Sequence, residues 1–324
     1  MGILYNRFTD INIDLTGYSG RSWCSAVASR LDTSGMTNMS YMFSDQSDAT
    51  SINVSNFDTS NVTDMSYMFE HCSSATSIDA SNFNTSNVTT MRSMFDSCSS
   101  ATSIDVSSFN TANVTNMRNM FYSCSSATLI DVSGFDPSNV TDMEYMFYSC
   151  RNLTSIDLFS ANTTSVTTIT GLFYGCRKLT TINNLSRLTT SNVKTMTSTF
   201  RDIARDAAAP ISLDLSTFRT PALLNLGSTF RAANLQSLDL DNWDTSNVTS
   251  MSNMLDGAFP SGGKMWVPST FVATSTSYKP FAYAPGGQVD VYTDATDATT
   301  QGWGTIDAKF TMHYNTTHQA FLNA

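Results

Sequence analysis

Residues 101–126, ATSIDVSSFNTANVTNMRNMFYSCSS, are followed at once by 127–152, ATLIDVSGFDPSNVTDMEYMFYSCRN. They are preceded by 75–100, ATSIDASNFNTSNVTTMRSMFDSCSS. The period is 26 residues, and Phe43, Phe69, Phe95, Phe121, Phe147 and Phe173 all keep it. Phe200, Phe230 and Leu255 continue the column with small changes in spacing, giving nine units. Ile52, Ile78, Ile104, Ile130, Ile156 and Ile182 keep step, then Leu213 and Leu238 after a short insertion in 201–210, which is expected to be a surface loop. A Val column (Val62 to Val248) and a Met column (Met65 to Met251) do the same. Self-similarity at such a period marks a stacked-repeat architecture.

Within a unit the apolar pattern changes. Ser103-Ile104-Asp105-Val106-Ser107 alternates polar and apolar, as a short half-buried strand does. Val114, Met117, Met120, Phe121 and Cys124 follow at three- and four-residue steps, which predicts a helix or helical turn with one apolar stripe. Thr111, with Ser86 and Ser138 in neighbouring units, is placed to cap its first amides. One unit buries only about six large apolar groups, worth roughly 1.5–3 kcal/mol each. Ordering its backbone costs about 1–2 kcal/mol per residue, so units must stack to fold. Nine units about 4.8 Å apart would make a rod of roughly 43 Å.

The sequence therefore predicts an α/β repeat: a right-handed solenoid with a parallel sheet on one face and helical turns opposite. Residues 1–30 are expected to form an N-terminal cap and 31–267 the solenoid. Residues 268–324, rich in Gly, Pro and aromatics, are expected to form a β-rich C-terminal cap or docking segment.

Composition narrows the function classes. Of 324 residues only 14 % are charged, the net charge is −10, and Ser and Thr together make up about 28 %. Such a surface lacks the basic patch needed to bind nucleic acid through counterion release. No apolar run is long enough to suggest membrane insertion. The N-terminal MGILYNRFTDINIDL has no basic segment leading into an apolar stretch, so no secretory signal is expected in it. Gly2 is followed at position 6 by Asn, which breaks the myristoylation pattern.

Ala101-x-x-Ile104-x-Val106-x-x-Phe109 has the spacing of a leucine-rich repeat, with Phe where that family usually has Asn or Cys. SNFNTSNVTTMRSMF (81–95) resembles the BspA-like leucine-rich-repeat surface proteins of bacteria, whose units read W/F-D-T-S-x-V-T-x-M-x-x-M-F. KMWVPSTFV (264–272) and VYTDATDATTQGW (291–303) resemble the C-terminal ends of such arrays. The resemblance implies an adhesin or host-contact protein. Members normally carry a signal peptide and often an anchor, whereas phage-encoded relatives leave the cell by lysis. A virion or extracellular surface is the location implied.

Several columns invite chemistry. Cys72, Cys98, Cys124, Cys150 and Cys176 form one inward column, expected to be a ladder of free thiols, with Cys24 out of register. The methionines are expected to be core, and no spacing of metal ligands accompanies either column. Asp79, Asp105, Asp131, Asp157, Asp214 and Asp239 lie between the apolar strand residues and point outward, in one column with Asp14, Asn53 and Asn183. They read either as a solvated face that resists aggregation or as an acidic ladder for cations, sugars or a basic partner. Trp266 ends that column as an aromatic platform. The three histidines, His71, His313 and His318, sit in no nucleophile motif, and no Gly-rich phosphate loop occurs. No cofactor or catalytic residue is expected. The sequence points to a non-enzymatic surface binding protein that contacts a protein or glycan on a cell. A capsid-decorating or tail-associated spacer is the alternative, and a carbohydrate-active enzyme a remote one. Trp303, Tyr314 and Phe321 are expected to dock a virion partner or a second copy of the chain, since aromatics are enriched at interface cores.

Overall fold

The computed structural model describes residues 31–273 and 279–324. The expected N-terminal cap, with Asp14 and Cys24, lies outside the described residues. The chain is a parallel β-solenoid of about eight coils at roughly 26-residue spacing, with almost no helix. Its strands are β1 (Ser77–Asp79), β2 (Ser103–Asp105), β3 (Leu129–Ile130), β4 (Ser155–Asp157) and β5 (Thr181–Asn183). They continue with β6 (Ile211–Asp214), β7 (Leu235–Asp239), β8 (Gly263–Trp266), β9 (Val289–Tyr292) and β10 (Phe310–His313), and a short helix, α1 (His318–Asn323), closes the chain.

Register follows the apolar columns. Ile78 pairs with Ile104 and Ile104 with Ile130. Ile156 pairs with Ile182. Leu238 pairs with Leu213 on one side and Met265 on the other, and Met265, Val291 and Met312 carry the column to the end. The tail beyond Trp266 thus continues the same sheet. The sheet is interrupted between β3 and β4 and again, more widely, between β5 and β6, which do not pair. The second break follows the insertion, where Asp202 and Ala204 both take left-handed backbone angles.

Where the sequence predicts helical turns, the chain instead forms successive β-turns. In one coil Met94, Asp96 and Cys98 each donate to the carbonyl three residues back, while Ser93, Phe95 and Ser97 donate to Arg118, Met120 and Tyr122 of the next coil. Ser93 and Ser97 have positive φ, as do Asn119 and Ser123, then Tyr145 and Ser149. An α-helix would keep every one of these bonds within its own segment. Here half of them run between coils. The apolar period misleads because each turn closure also spans three residues. Thr111 accordingly caps no helix. It is buried, donates through Oγ1 to the Asp136 carbonyl (3.1 Å) and accepts from the Asp136 amide (2.8 Å). Thr33, Thr220 and Thr245 make the same two-way clamp to their next coil.

The core is a set of ladders. Phe69, Phe95, Phe121 and Phe147 stack with centroids 5.5–5.7 Å apart and planes within 8°. Beside them the five thiols are free and buried, each Sγ donating to a carbonyl of the preceding coil, as Cys124 does to Phe95 (3.1 Å). Burial pushes the Cys150 thiol up to about 12.

Three expectations follow from this packing. Phe121→Ala should destabilise the protein by about 3–5 kcal/mol through lost burial and a cavity. Thr111→Val, nearly isosteric, should cost about 1–3 kcal/mol because both polar groups of Asp136 lose their buried partner. Denaturant titration measures both, and an unchanged midpoint for Thr111→Val would refute the clamp. Third, iodoacetamide at pH 8 should leave Cys98, Cys124 and Cys150 unmodified in folded protein and label them together on unfolding. Mass spectrometry that finds Cys124 alkylated before unfolding would contradict the buried ladder.

Candidate functional site

The sheet face carries the acidic column where the sequence places it. Asp79, Asp105, Asp131, Asp157 and Asp214 are exposed. Their carboxylates are not free to act together. Oδ1 of Asp79, Asp105, Asp131 and Asp214 accepts from both the amide and the hydroxyl of the serine two residues on, at 2.5–3.0 Å. Each closes an Asx turn that ends its strand. These bonds, the hydroxyl's first and the amide's second, hold the Asp79 and Asp131 carboxyls below their usual range. Asp157 has Phe159 in the serine's place. Among the described residues no group of three or more His, Cys, Asp or Glu is placed to hold a metal ion.

The last two members of the column are covered. Asp239 and Trp266 are buried, because α1 folds across the outer face of β8 and β9. His318 Nε2 lies 2.7 Å from Asp239 Oδ2, and its ring lies 5.1 Å from that of Trp266. Trp266 Nε1 donates to Asp241 at 3.1 Å. Lys264 Nζ donates to the Phe321 carbonyl (2.8 Å) and sits 4.9 Å over its ring. The anticipated outer platform is therefore an internal contact.

The same holds for the anticipated docking aromatics. Trp303 is fully buried, donates through Nε1 to the Phe271 carbonyl (2.8 Å) and meets Phe281 edge-on. Phe321 is buried against Tyr292 and His318. Tyr314 is half-buried against the core. These tail aromatics thus pack within the described chain instead of standing outward.

Sequence reasoning missed the opposite face. Tyr and Arg recur at outward positions of the turn segments: Tyr41 and Tyr67 stack at 4.4 Å with Arg92 over the Tyr67 ring, and these residue types are densest between 118 and 206. Tyr122, Tyr148 and Tyr174 form a column 26 residues apart immediately after the core phenylalanines. Tyr122 and Tyr148 stack at 4.3 Å, and Tyr148 meets Tyr174 edge-on at 4.8 Å. Arg201 lies 4.8 Å over the Tyr174 ring. Tyr145 packs edge-on against Tyr148, with Arg118 over its ring and paired to Glu144. Gly171 makes room for it: at φ +60° a side chain here would run into the Tyr145 ring. Burial, then the neighbouring Tyr148, pushes the Tyr122 phenol up to about 12, so it stays a hydrogen-bond donor at neutral pH.

A cleft of about 470 Å³ adjoins this patch, lined by serines of three successive coils with Arg151, Asn152, Lys178 and Asp206. A smaller one, about 250 Å³, marks the break between β5 and β6, floored by Ile182, Leu185, Ile211 and Leu213.

A family model described as "Mycoplasma protein of unknown function, DUF285" matches residues 18–128, 73–181, 99–213 and 153–266. No curated protein matches the chain, and no solved structure does.

The Asx turns set an acid limit. Side chains whose folded pKa is depressed stabilise the fold above the unfolded value of 3.8, and that stability disappears as pH falls through the folded value. Melting temperature should therefore fall below about pH 4. In a variant with Asp79, Asp131 and Asp136 all changed to Asn, which keeps the acceptor, the fall should be shallower and neutral-pH stability nearly unchanged. An acid limb as steep as that of the unaltered protein would show that the turns do not couple stability to these protons.

Proposed function

We propose that this chain, which belongs to the DUF285 family, is a non-enzymatic binding module that holds a partner on the turn face of its solenoid. One observation carries this reading: the turn face carries the varied side chains, with Tyr and Arg present from Tyr41 and Tyr67 onward and densest between 118 and 206, while the sheet face repeats Ser and Asp. Tyr and Arg, with Trp, supply most strong anchors at protein surfaces that bind. The BspA-like units fit the same role, with the partner a protein or glycan on a cell and the location a virion or cell exterior. Kinship with leucine-rich repeats belongs to this proposal too, supported by the spacing of Ala101, Ile104 and Val106. Each histidine pairs with an aspartate, His71 with Asp45, His313 with Asp290 and His318 with Asp239.

A spacer is the second reading, favoured by the uniform sheet face and by the inward-folded tail. The two separate in one experiment. Fluorescent full-length chain is incubated with intact bacterial cells, epithelial cells and purified matrix proteins, beside a variant carrying Tyr122→Ser, Tyr148→Ser and Tyr174→Ser. The binding reading expects attachment to at least one of these surfaces, lowered about tenfold or more in the variant, with the melting transition retained. Attachment to none, or equal attachment by the variant, would put the spacer in its place.

A further inference from the structure

The geometry points to the cleft beside the tyrosines as a site for an anionic carbohydrate, an inference that rests on the turn face being the binding surface. The cleft's volume falls within the usual range for small-molecule sites, yet none of its lining residues is apolar. A protein partner's anchor seeks a desolvated, apolar pocket, and this cleft offers none. What it offers is hydroxyls, an amide and cations.

Ser99 and Ser125 donate their hydroxyl protons to carbonyls of the preceding coil, Ser73 and Ser99, at 3.4 Å. Their lone pairs are left to accept from ligand hydroxyls. Asn152 is held at both ends, donating to the Ser125 carbonyl (3.0 Å) and accepting from Lys178 Nζ (2.8 Å). Lys178 is thereby fixed over the cleft with two ammonium protons uncommitted. Asp206, the one acid in the lining, is paired with Arg177 at 3.3 Å. Arg151 is exposed and pairs with no carboxylate among the described residues. Two cations thus remain uncompensated in a chain of net charge −10.

A ligand that fits must bring hydroxyl groups for the serines and a carboxylate or sulfate for Arg151 and Lys178, whose charge-assisted bonds are the strong ones. Tyr122 and Tyr148 directly precede the cleft residues Ser123 and Ser149, which brings an amphipathic aromatic edge beside a sugar ring. A nucleic acid would meet the strongly negative remainder of the chain.

Calorimetric titration of the full chain tests this, with a hyaluronan octasaccharide (carboxylate), a heparin octasaccharide (sulfate), maltooctaose (neutral) and a short DNA duplex as probes. One or both acidic saccharides should bind, more weakly at higher salt, while maltooctaose and DNA should not. Arg151→Ala and Lys178→Ala should each weaken binding about tenfold or more. Arg219→Ala, whose side chain donates to the Ser216 carbonyl well away from the cleft, should bind unchanged. The site is overturned if neither acidic saccharide binds, if maltooctaose or DNA binds as well, or if both cleft variants bind normally. Tyrosine-dependent attachment to cells without saccharide binding would overturn the cleft alone and leave the turn face standing. Saccharide binding lost in the Arg151 and Lys178 variants but unaffected by the tyrosine changes would support the cleft and count against the tyrosines.

Discussion

The amide of Phe95 donates to the carbonyl of Met120, and that of Phe121 to Met146, each bond crossing from one coil to the next at 2.9 Å. On this alternation the molecule depends. A buried backbone polar group must find a partner, and a segment without helix can satisfy only some of its own groups through turns. The remainder reach the neighbouring coil, which must present its carbonyls in the same places. Identical backbone paths bring identical side chains into register, and so Phe stacks on Phe and each thiol lies one coil from the next. Near-identity of the units is thus a requirement of hydrogen bonding as much as of packing. The positive-φ positions belong to the same constraint. They recur in pairs four residues apart, at Ser93 and Ser97, Asn119 and Ser123, Tyr145 and Ser149, because each coil must bend as its neighbour does.

Once those inward columns are fixed, only outward positions can differ. The sheet face spends much of its freedom on turn closure, since Asp79, Asp105, Asp131 and Asp214 each accept from the serine two residues later. The asparagines of the Asn-x-Ser/Thr triplets are engaged too: Asn87 and Asn113 donate to the Ser60 and Ser86 carbonyls of the preceding coil at 2.7 Å. Such polar columns hold coils together from outside, as the threonine clamps do from within. The turn face is less committed, and there the chain varies.

Much of this was legible in sequence. The 26-residue columns gave the stack, the register of Ile78, Ile104 and Ile130, and the free buried thiols, because a parallel stack leaves equivalent residues only one place to go. The helix expected over Val114–Cys124 was not legible as turns. Apolar steps of three and four suit both, and hydrogen-bond direction, which separates them, leaves no mark on composition. Ser and Asn at the positive-φ positions were a faint signal, Gly171 and Gly175 a clearer one. The tail was legible as aromatic and β-rich, but composition cannot say whether an aromatic faces outward or in. The tyrosine column keeps the same 26-residue period, but its spacing does not tell whether those rings are packed or open.

Two of the aromatic columns that lie on the outward faces are treated in opposite ways, and the contrast bears on function. On the sheet face, Trp266 and Tyr292 occupy the register position that Asp239 holds one coil earlier. The chain uses six residues of helix to cover them, fastened by His318 to Asp239 and by Lys264 to Phe321. Bare apolar rings at the end of a sheet invite unwanted association, and α1 removes them from water. On the turn face, Tyr122, Tyr148 and Tyr174 stay half-buried at the surface, with no segment of the described chain laid over them. Arg201 lies along one of them, keeping the patch wet and charged. A chain that covers one aromatic column and leaves another open has the means to hide both. Structural need accounts for the first, since β8 and β9 require a lid. It does not account for the second, because the phenylalanine ladder beneath those tyrosines is already complete.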